Sequence, residues 1–209
     1  MAKRTGEKYR AIIEAAIKVI ADNGYHSSQV AKIAREAGVA EGTIYLYFKN
    51  KEDILISIFR DKLGELISIA PQKLNTLDNS FEILANLIYL HYFMFQNNRK
   101  LAHVLQIELR QSDKSIRKGV SEVIKEYYRL IENVVRDGIE KGYFRPDLDP
   151  KVARKIIFGS MDEVATCWVL SSRHYNLLDM AEQVYTVLAK AIARDNKFQP
   201  FPSTLMPPR

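Results

Sequence analysis

The stretch whose reading decides the fold is SSQVAKIAREAGVAEGTIYLYFKNKED, residues 27–53. Within it Val30, Ile33, Ala34 and Ala37 recur at helical spacing, and Ser28 stands where a side-chain oxygen would cap a helix N-terminus. Gly38 predicts the end of that helix, because glycine enters the left-handed conformation of a C-cap without steric cost. Val39 fills the corner, and Glu41-Gly42-Thr43 opens a second short helix running through Ile44 and Phe48. Two short helices joined by a tight turn make a helix-turn-helix, whose second helix characteristically enters the major groove of DNA.

Outward from this motif the periodicity stays helical, and no stretch alternates long enough to predict a strand. Upstream, Tyr9, Ile12, Ile13, Ala16, Ile17 and Ile20 form one apolar stripe that Asn23-Gly24 stops, which predicts a three-helix headpiece. Downstream, a helix is expected from about Asn50 to Pro71, then a fifth capped by Asp78 or Asn79 and broken by Asn97-Asn98. A short sixth covers Leu101 to Leu109, and a long seventh runs from Ser112-Asp113 to Gly138–Gly142. Asp149 followed by Pro150 is a helix-start signal for the eighth, expected to reach Ser171, and a ninth covers Leu177 to Ala193. The fold class is therefore all-α, about nine helices. Residues 1–49 form the DNA-binding headpiece, 50–194 a larger helical domain, and the proline-rich tail 195–209 is expected to be poorly ordered.

With 209 residues, 47% of them hydrophobic, the chain has ample material for a core. No apolar run is long enough to span a bilayer and no secretory leader opens the sequence, so a cytoplasmic protein is expected, with no membrane partner. The single cysteine, Cys167, excludes an internal disulfide and a cysteine zinc cage, and its apolar surroundings predict a plain buried thiol. The net charge of +6 favours polyanionic partners, and Lys3, Arg4, Lys8 and Arg10 gather it into a basic arm ahead of the first helix.

On the motif itself, Ser28, Gln29 and Lys32 sit where hydroxyl, amide and ammonium groups reach a phosphate. Glu41, Gly42, Thr43, Tyr45, Leu46 and Tyr47 are the positions of the second helix free to face outward, while Ile44 and Phe48 face the core. Gly42 lets the helix start approach a duplex closely, and Lys49 and Lys51 follow as phosphate anchors. No Arg or Asn lies in this helix to pair bidentately with a base edge, so discrimination would lean on apolar contacts and DNA shape.

The run A-G-V-A-x-G-T-I-Y-x-Y-F-K-N-K-E-D-I-L, residues 37–55, resembles the DNA-binding signature of the TetR family of bacterial transcriptional repressors, and the likeness is dense from about Tyr9 to Phe59. Shorter strings resemble its acyl-CoA-responsive repressors of fatty-acid degradation, the TetR-type FadR subgroup. These are GYHSSQVAKIA at 24–34, IELRQS at 107–112 and IFGSMDEVATCWV at 157–169. The resemblance implies a repressor on double-stranded operator DNA, released by a long-chain fatty acyl-CoA, with no other cofactor. It also places Tyr45 and Tyr47 on backbone phosphates or base edges and makes Lys51 a regular phosphate contact.

Beyond the headpiece, Leu87, Leu90, Tyr92, Met94, Leu105, Leu109, Ile124, Tyr128, Ile131, Met161 and Trp168 supply the apolar and aromatic surface for an acyl tunnel, each buried CH₂ contributing about 0.8 kcal/mol. Arg110, in a basic cluster with Arg99, Lys100, Lys114, Arg117 and Lys118, is a candidate for the CoA phosphates. Taken singly, these aromatics read as core and the charges as a solvated face. Ala153, Ile156, Gly159, Ser160 and Val164 offer small and apolar side chains for close pairing with a second copy, so a homodimer is expected. Dimerisation would set the two recognition helices about 34 Å apart, one turn of DNA. An enzyme is not expected, since no G-x-S-x-G, no H-E-x-x-H and no phosphate-binding glycine loop is present. Two other readings stay open: a repressor of a multidrug exporter sensing lipophilic cations, with Glu108, Asp162 and Glu163 as the acids of its pocket, and a helical scaffold that never touches DNA.

Overall fold

The computed structural model describes residues 6–74, 77–108, 110 and 113–205, apart from the side chains of 71–74. Among these residues nine α-helices and no named strand occur: α1 Glu7–Asn23, α2 Val30–Glu36, α3 Glu41–Tyr47, α4 Lys51–Leu74, α5 Ser80–Gln96, α6 Arg99–His103, α7 Lys114–Glu140, α8 Pro150–Leu170 and α9 Asp179–Ile192. The chain is all-α, as the periodicity predicted. Among the described residues no helix is long and apolar enough to cross a membrane.

Two compact units divide the chain, residues 1–64 with 98–123, and residues 65–97 with 124–209. In the first, Ile12, Ala16 and Ile20 of α1, Ile33 of α2, Ile44 and Phe48 around α3, and Ile54, Leu55 and Ile58 of α4 are sealed from solvent. Helix α1 packs on both α2 and α6. Residues 98–123 thus join a headpiece that periodicity had placed wholly within residues 1–49. Their local pairing with α1, including the Lys100–Asp22 ion pair at 2.6 Å, has no signature in spacing.

The second unit packs α5 against α8 and α9 around Phe81, Leu84, Leu87, Ile88 and Tyr92 on one side and Ile157, Met161, Ala165 and Tyr185 on the other. Its caps follow the sequence signals. Asn79 accepts from the Phe81 N–H, and Asp149 accepts from the N–H groups of Lys151 and Val152 with Pro150 at the first helical position. Those two bonds hold the Asp149 carboxyl below its usual range. Asn97 and Asn98 divide the labour at the next break, Asn97 closing α5 and Asn98 capping α6 through the Leu101 N–H.

Four expectations are corrected. Pro71 does not stop α4, whose backbone stays helical to Leu74. The sixth helix is α only to His103 and continues as a π turn over Val104–Glu108. The Cys167 thiol is exposed, on an outward position of α8 between buried Thr166 and Trp168, where it bonds Glu163 at 3.3 Å. The tail is not loose where it is described. Phe201 is buried against the Tyr185 ring, the Tyr185 hydroxyl donates to the Gln199 carbonyl at 2.8 Å, and Asn79 bonds the Gln199 side chain. Lys3 and Arg4 of the basic arm lie outside the described residues.

Gly138 marks the tightest backbone approach. A Cβ there would come within 2.1 Å of the Phe144 ring, which is buried edge-on against Phe81 at 5.1 Å. Gly138→Ala is expected to destabilise the protein by about 1–3 kcal/mol, because a ring flanked by another ring has nowhere to retreat. Thermal denaturation checks it: an unchanged melting temperature means the site relaxes freely.

Candidate DNA-binding and effector sites

The turn between α1 and α2 is built before the recognition helix. Gly24, at φ +76°, ends α1 with its N–H on the Ile20 carbonyl. The next residues turn so sharply that the carbonyls of Tyr25, His26 and Ser28 converge, and Lys51 answers them. Its ammonium donates to all three at 3.0, 3.1 and 3.1 Å and lies 4.6 Å from the centre of the Tyr25 ring. From the other side Glu108, 5% exposed in the π turn, accepts the Tyr25 N–H at 2.9 Å and stands 3.7 Å from His103. Burial, with the charges of Glu52 and Asp113, pushes the Tyr25 phenol up to about 12.

Two of the expected DNA contacts are therefore reassigned. Ser28 is 2% exposed, and its hydroxyl donates to the carbonyls of Gly24 and Val19 at 2.7 and 3.2 Å. It braces the turn, while Gln29 takes the cap position without a side-chain bond. Lys51 carries three N–H bonds and all three are engaged within the protein, so its ammonium fastens the turn instead of reaching outward. A neighbouring apolar stripe and a basic residue looked alike in sequence whether the lysine faced solvent or folded back.

The remaining positions stay on the surface. Gln29 and Lys32 are exposed on α2, and Glu41, Gly42, Tyr45, Leu46 and Lys49 are exposed on or just beyond α3. Tyr45 and Leu46 are 49% and 57% exposed, an uncommon amount of aromatic and aliphatic surface for so short a helix. Ile44 and Phe48 are fully buried, with Phe48 stacked on Tyr9 at 5.3 Å. Thr43 is half-buried, and half-buried Tyr47 leans on the Tyr9 ring at 6.1 Å, so its ring is partly committed to the core. Among the described residues nothing beyond its own helix backbone and chain neighbours stands within 4 Å of where a Gly42 Cβ would be, and its φ is ordinary.

The expected effector residues are divided between the units. In the second unit Leu87, Leu90, Tyr92, Ile131, Met161 and Trp168 are buried, and Met94, Ile124 and Tyr128 are half-buried. Trp168 has a structural task, its indole N–H donating to the Tyr175 carbonyl at 2.9 Å across the turn after α8. Leu105 is buried in the π turn of the first unit, Arg110 is exposed, and Leu109 lies outside the described residues. His91 and Tyr127 were not singled out by spacing. Both are buried, with His91 Nδ1 and the Tyr127 hydroxyl 2.9 Å apart, and the one available signal was a histidine inside the apolar run L-I-Y-L-H-Y-F. Among the pairing residues, Ile156 is 59% exposed, Gly159 is exposed and Ser160 and Val164 are half-buried, whereas Ala153 is already buried within its own chain. Among the described residues no group of His, Cys, Asp and Glu could hold a metal.

Residues 12–58 match the family described as bacterial regulatory proteins, tetR family, and residues 59–191 match the YsiA-like protein C-terminal region. This chain belongs to the TetR family. The TetR-family chain is 43% identical to the fatty acid metabolism regulator protein of Bacillus subtilis (strain 168) over 190 residues, covering 91% of this chain and 98% of that protein. Two solved structures share its fold at similar identity. The transcriptional regulator FadR from Bacillus subtilis, in complex with stearoyl-CoA, superposes with a TM-score of 0.83 at 44% identity, covering 86% of this chain and 97% of that one. The fatty acid degradation regulator FadR from Bacillus halodurans gives 0.86 at 45%, over 89% and 96%.

The two lysines after the recognition helix should separate in experiment. Lys49→Ala is expected to lower DNA affinity for all sequences alike and to reduce the salt slope by about one. Lys51→Ala should leave the His26 and Ser28 carbonyls unpaired, the Tyr25 carbonyl keeping its bond from the Ser28 N–H, so its primary effect is faster amide exchange across residues 24–28 and a lower melting temperature. If Lys51→Ala flattens the salt slope with stability and exchange unchanged, its ammonium serves DNA after all.

Proposed function

We propose that this chain is a homodimeric repressor of fatty-acid degradation genes, acting in the cytoplasm and released from operator DNA by long-chain acyl-CoA. The observation that carries this reading is the near full-length likeness to the FadR regulators, one of them crystallised with stearoyl-CoA. The surface of α2 and α3 supports the DNA half. Gln29, Lys32 and Lys49 would take phosphates, and Glu41, Gly42, Thr43, Tyr45, Leu46 and Tyr47 would face the groove. Tyr45 and Leu46 supply apolar contact to thymine methyls, the form of readout open to a helix without Arg or Asn.

Exposed Val152 and Ile156 on α8 and Val187 on α9, at 52%, 59% and 70%, support pairing with a second copy, with Gly159 allowing close approach. The apolar residues of α5, α7 and α8 would hold the acyl chain. An effector releases the operator only by binding the DNA-incompetent arrangement more tightly, and the operator weakens effector binding by the same factor. A cation-sensing repressor would need a free acid in its chamber. Glu108 is engaged by the Tyr25 N–H and Glu163 is exposed, which leaves half-buried Asp162, acting on Tyr127 and Tyr128, as the acid on which that alternative rests.

A gel-shift titration tests the proposal. Hexadecanoyl-CoA at micromolar concentration is expected to dissolve the complex with promoter DNA of fatty-acid degradation genes, and a lipophilic cationic dye to leave it intact. The converse result overturns the fatty-acid reading and favours an exporter repressor. Absence of any DNA complex at low salt would overturn both.

A further inference from the structure

Three buried side-chain polar atoms among the described residues have no partner: His91 Nε2, Tyr92 Oη and Arg154 Nε. All three belong to the second unit, and the first two are linked through Tyr127. His91 stacks on the Tyr127 ring at 5.8 Å with an interplanar angle of 11°, and its Nδ1 bonds the Tyr127 hydroxyl. Tyr92 and Asp162 both bear electrostatically on that same phenol. Aromatic walls surround the group, with Phe95 edge-on to His91 at 5.1 Å and Phe158 edge-on to Tyr127 at 6.1 Å. The cluster sits where α5, α7 and α8 meet.

A tyrosine at 92 calls for explanation. Its ring is fully buried, so a phenylalanine would fill the same space without burying an unbonded hydroxyl. His91 poses the same question. One ring nitrogen is used by Tyr127 and the other has no hydrogen-bond partner, in an interior that leaves unpaired polar groups costly. Resting on the acyl-CoA reading, we propose that His91 Nε2 and Tyr92 Oη form an interior hydrogen-bonding site for an uncharged oxygen of an acyl ligand.

The electrostatics favour an uncharged oxygen. Burial holds the imidazole neutral, its pKa pushed down to about 3, and raises both phenols, so the site offers neutral donors and acceptors. Arg154 and Asp162 are opposite in sign, and both act on the neighbouring Tyr128 ring. A free carboxylate would have to bring its charge out of water onto the neutral His91 and Tyr92 groups, whereas a thioester carbonyl or a chain hydroxyl brings only a dipole. A fatty acid and its thioester would thereby be told apart inside the protein as well as by the CoA headgroup.

Calorimetric titration of the intact protein with three probes tests this: hexadecanoyl-CoA, its thioether analogue S-hexadecyl-CoA, which lacks the carbonyl, and 3-hydroxyhexadecanoyl-CoA. The wild type is expected to bind at least one oxygen-bearing probe about five- to tenfold more tightly than its counterpart without that oxygen. Tyr92→Phe and His91→Asn, the latter keeping a polar atom near the Nδ1 position, should erase that preference and leave thioether binding within about twofold. Erasure between hexadecanoyl-CoA and the thioether identifies the carbonyl as the oxygen, and erasure confined to the hydroxy probe identifies the chain hydroxyl. Ligand-free Tyr92→Phe should melt at or above the wild-type temperature, since it removes an unpaired hydroxyl. Equal wild-type affinity for all three probes, or equal weakening of all three by the variants, overturns the site alone. Failure of the wild type to bind any probe overturns the acyl-CoA reading and the site with it.

Discussion

A single ammonium group closes the backbone turn on which the helix-turn-helix stands. Peptide carbonyls of Tyr25, His26 and Ser28 point to one spot, an arrangement that repels itself unless a cation occupies the centre. Lys51 supplies that cation from the first turn of α4, immediately after the recognition helix in sequence. One side chain thereby fixes the start of α2, the end of α1 and the beginning of α4 relative to one another. Glu108 adds to the closure by accepting the Tyr25 N–H. Opposite charges serve opposite ends of the peptide dipoles.

This closure lets α3 be short. Seven residues are too few to hold a helix in water by themselves, and α3 has no side-chain cap. It is ordered by packing on α2 and by burying Ile44 and Phe48, the latter stacked on the Tyr9 ring. The inner positions are spent on anchoring, so Tyr45 and Leu46 are left as large side chains with no internal partner surface.

Much of the fold was legible because periodicity and capping report local energetics. The stripe from Tyr9 to Ile20, Gly38, Asn79 and the Asp149-Pro150 pair each announced an element that the structure contains. What was illegible depended on contacts distant in sequence. Ser28 and Lys51 read as surface groups since their partners are backbone carbonyls, which no residue type advertises. The π turn at Val104–Glu108 has no signature of its own, and Glu108 looked like a pocket acid until the Tyr25 amide was found beneath it. The tail misled because proline content predicts an extended chain but is silent on whether that chain lies against rings such as Tyr185 and Phe81. Exposure separated Tyr45 from Ile44 correctly, an i, i+1 distinction that a helix always makes.

The outward thiol of Cys167 is the sole cysteine in the sequence. A chain with one accessible sulfur is a ready-made substrate for a spin label or fluorophore, with no background cysteines to remove. Each copy of an assembly would then carry one reporter at the same point of α8, so a pulsed dipolar measurement would read a single inter-copy distance from native protein. The Glu163 carboxylate that accepts from the thiol pushes its pKa up and thins the thiolate population, so coupling would proceed best under mildly alkaline conditions.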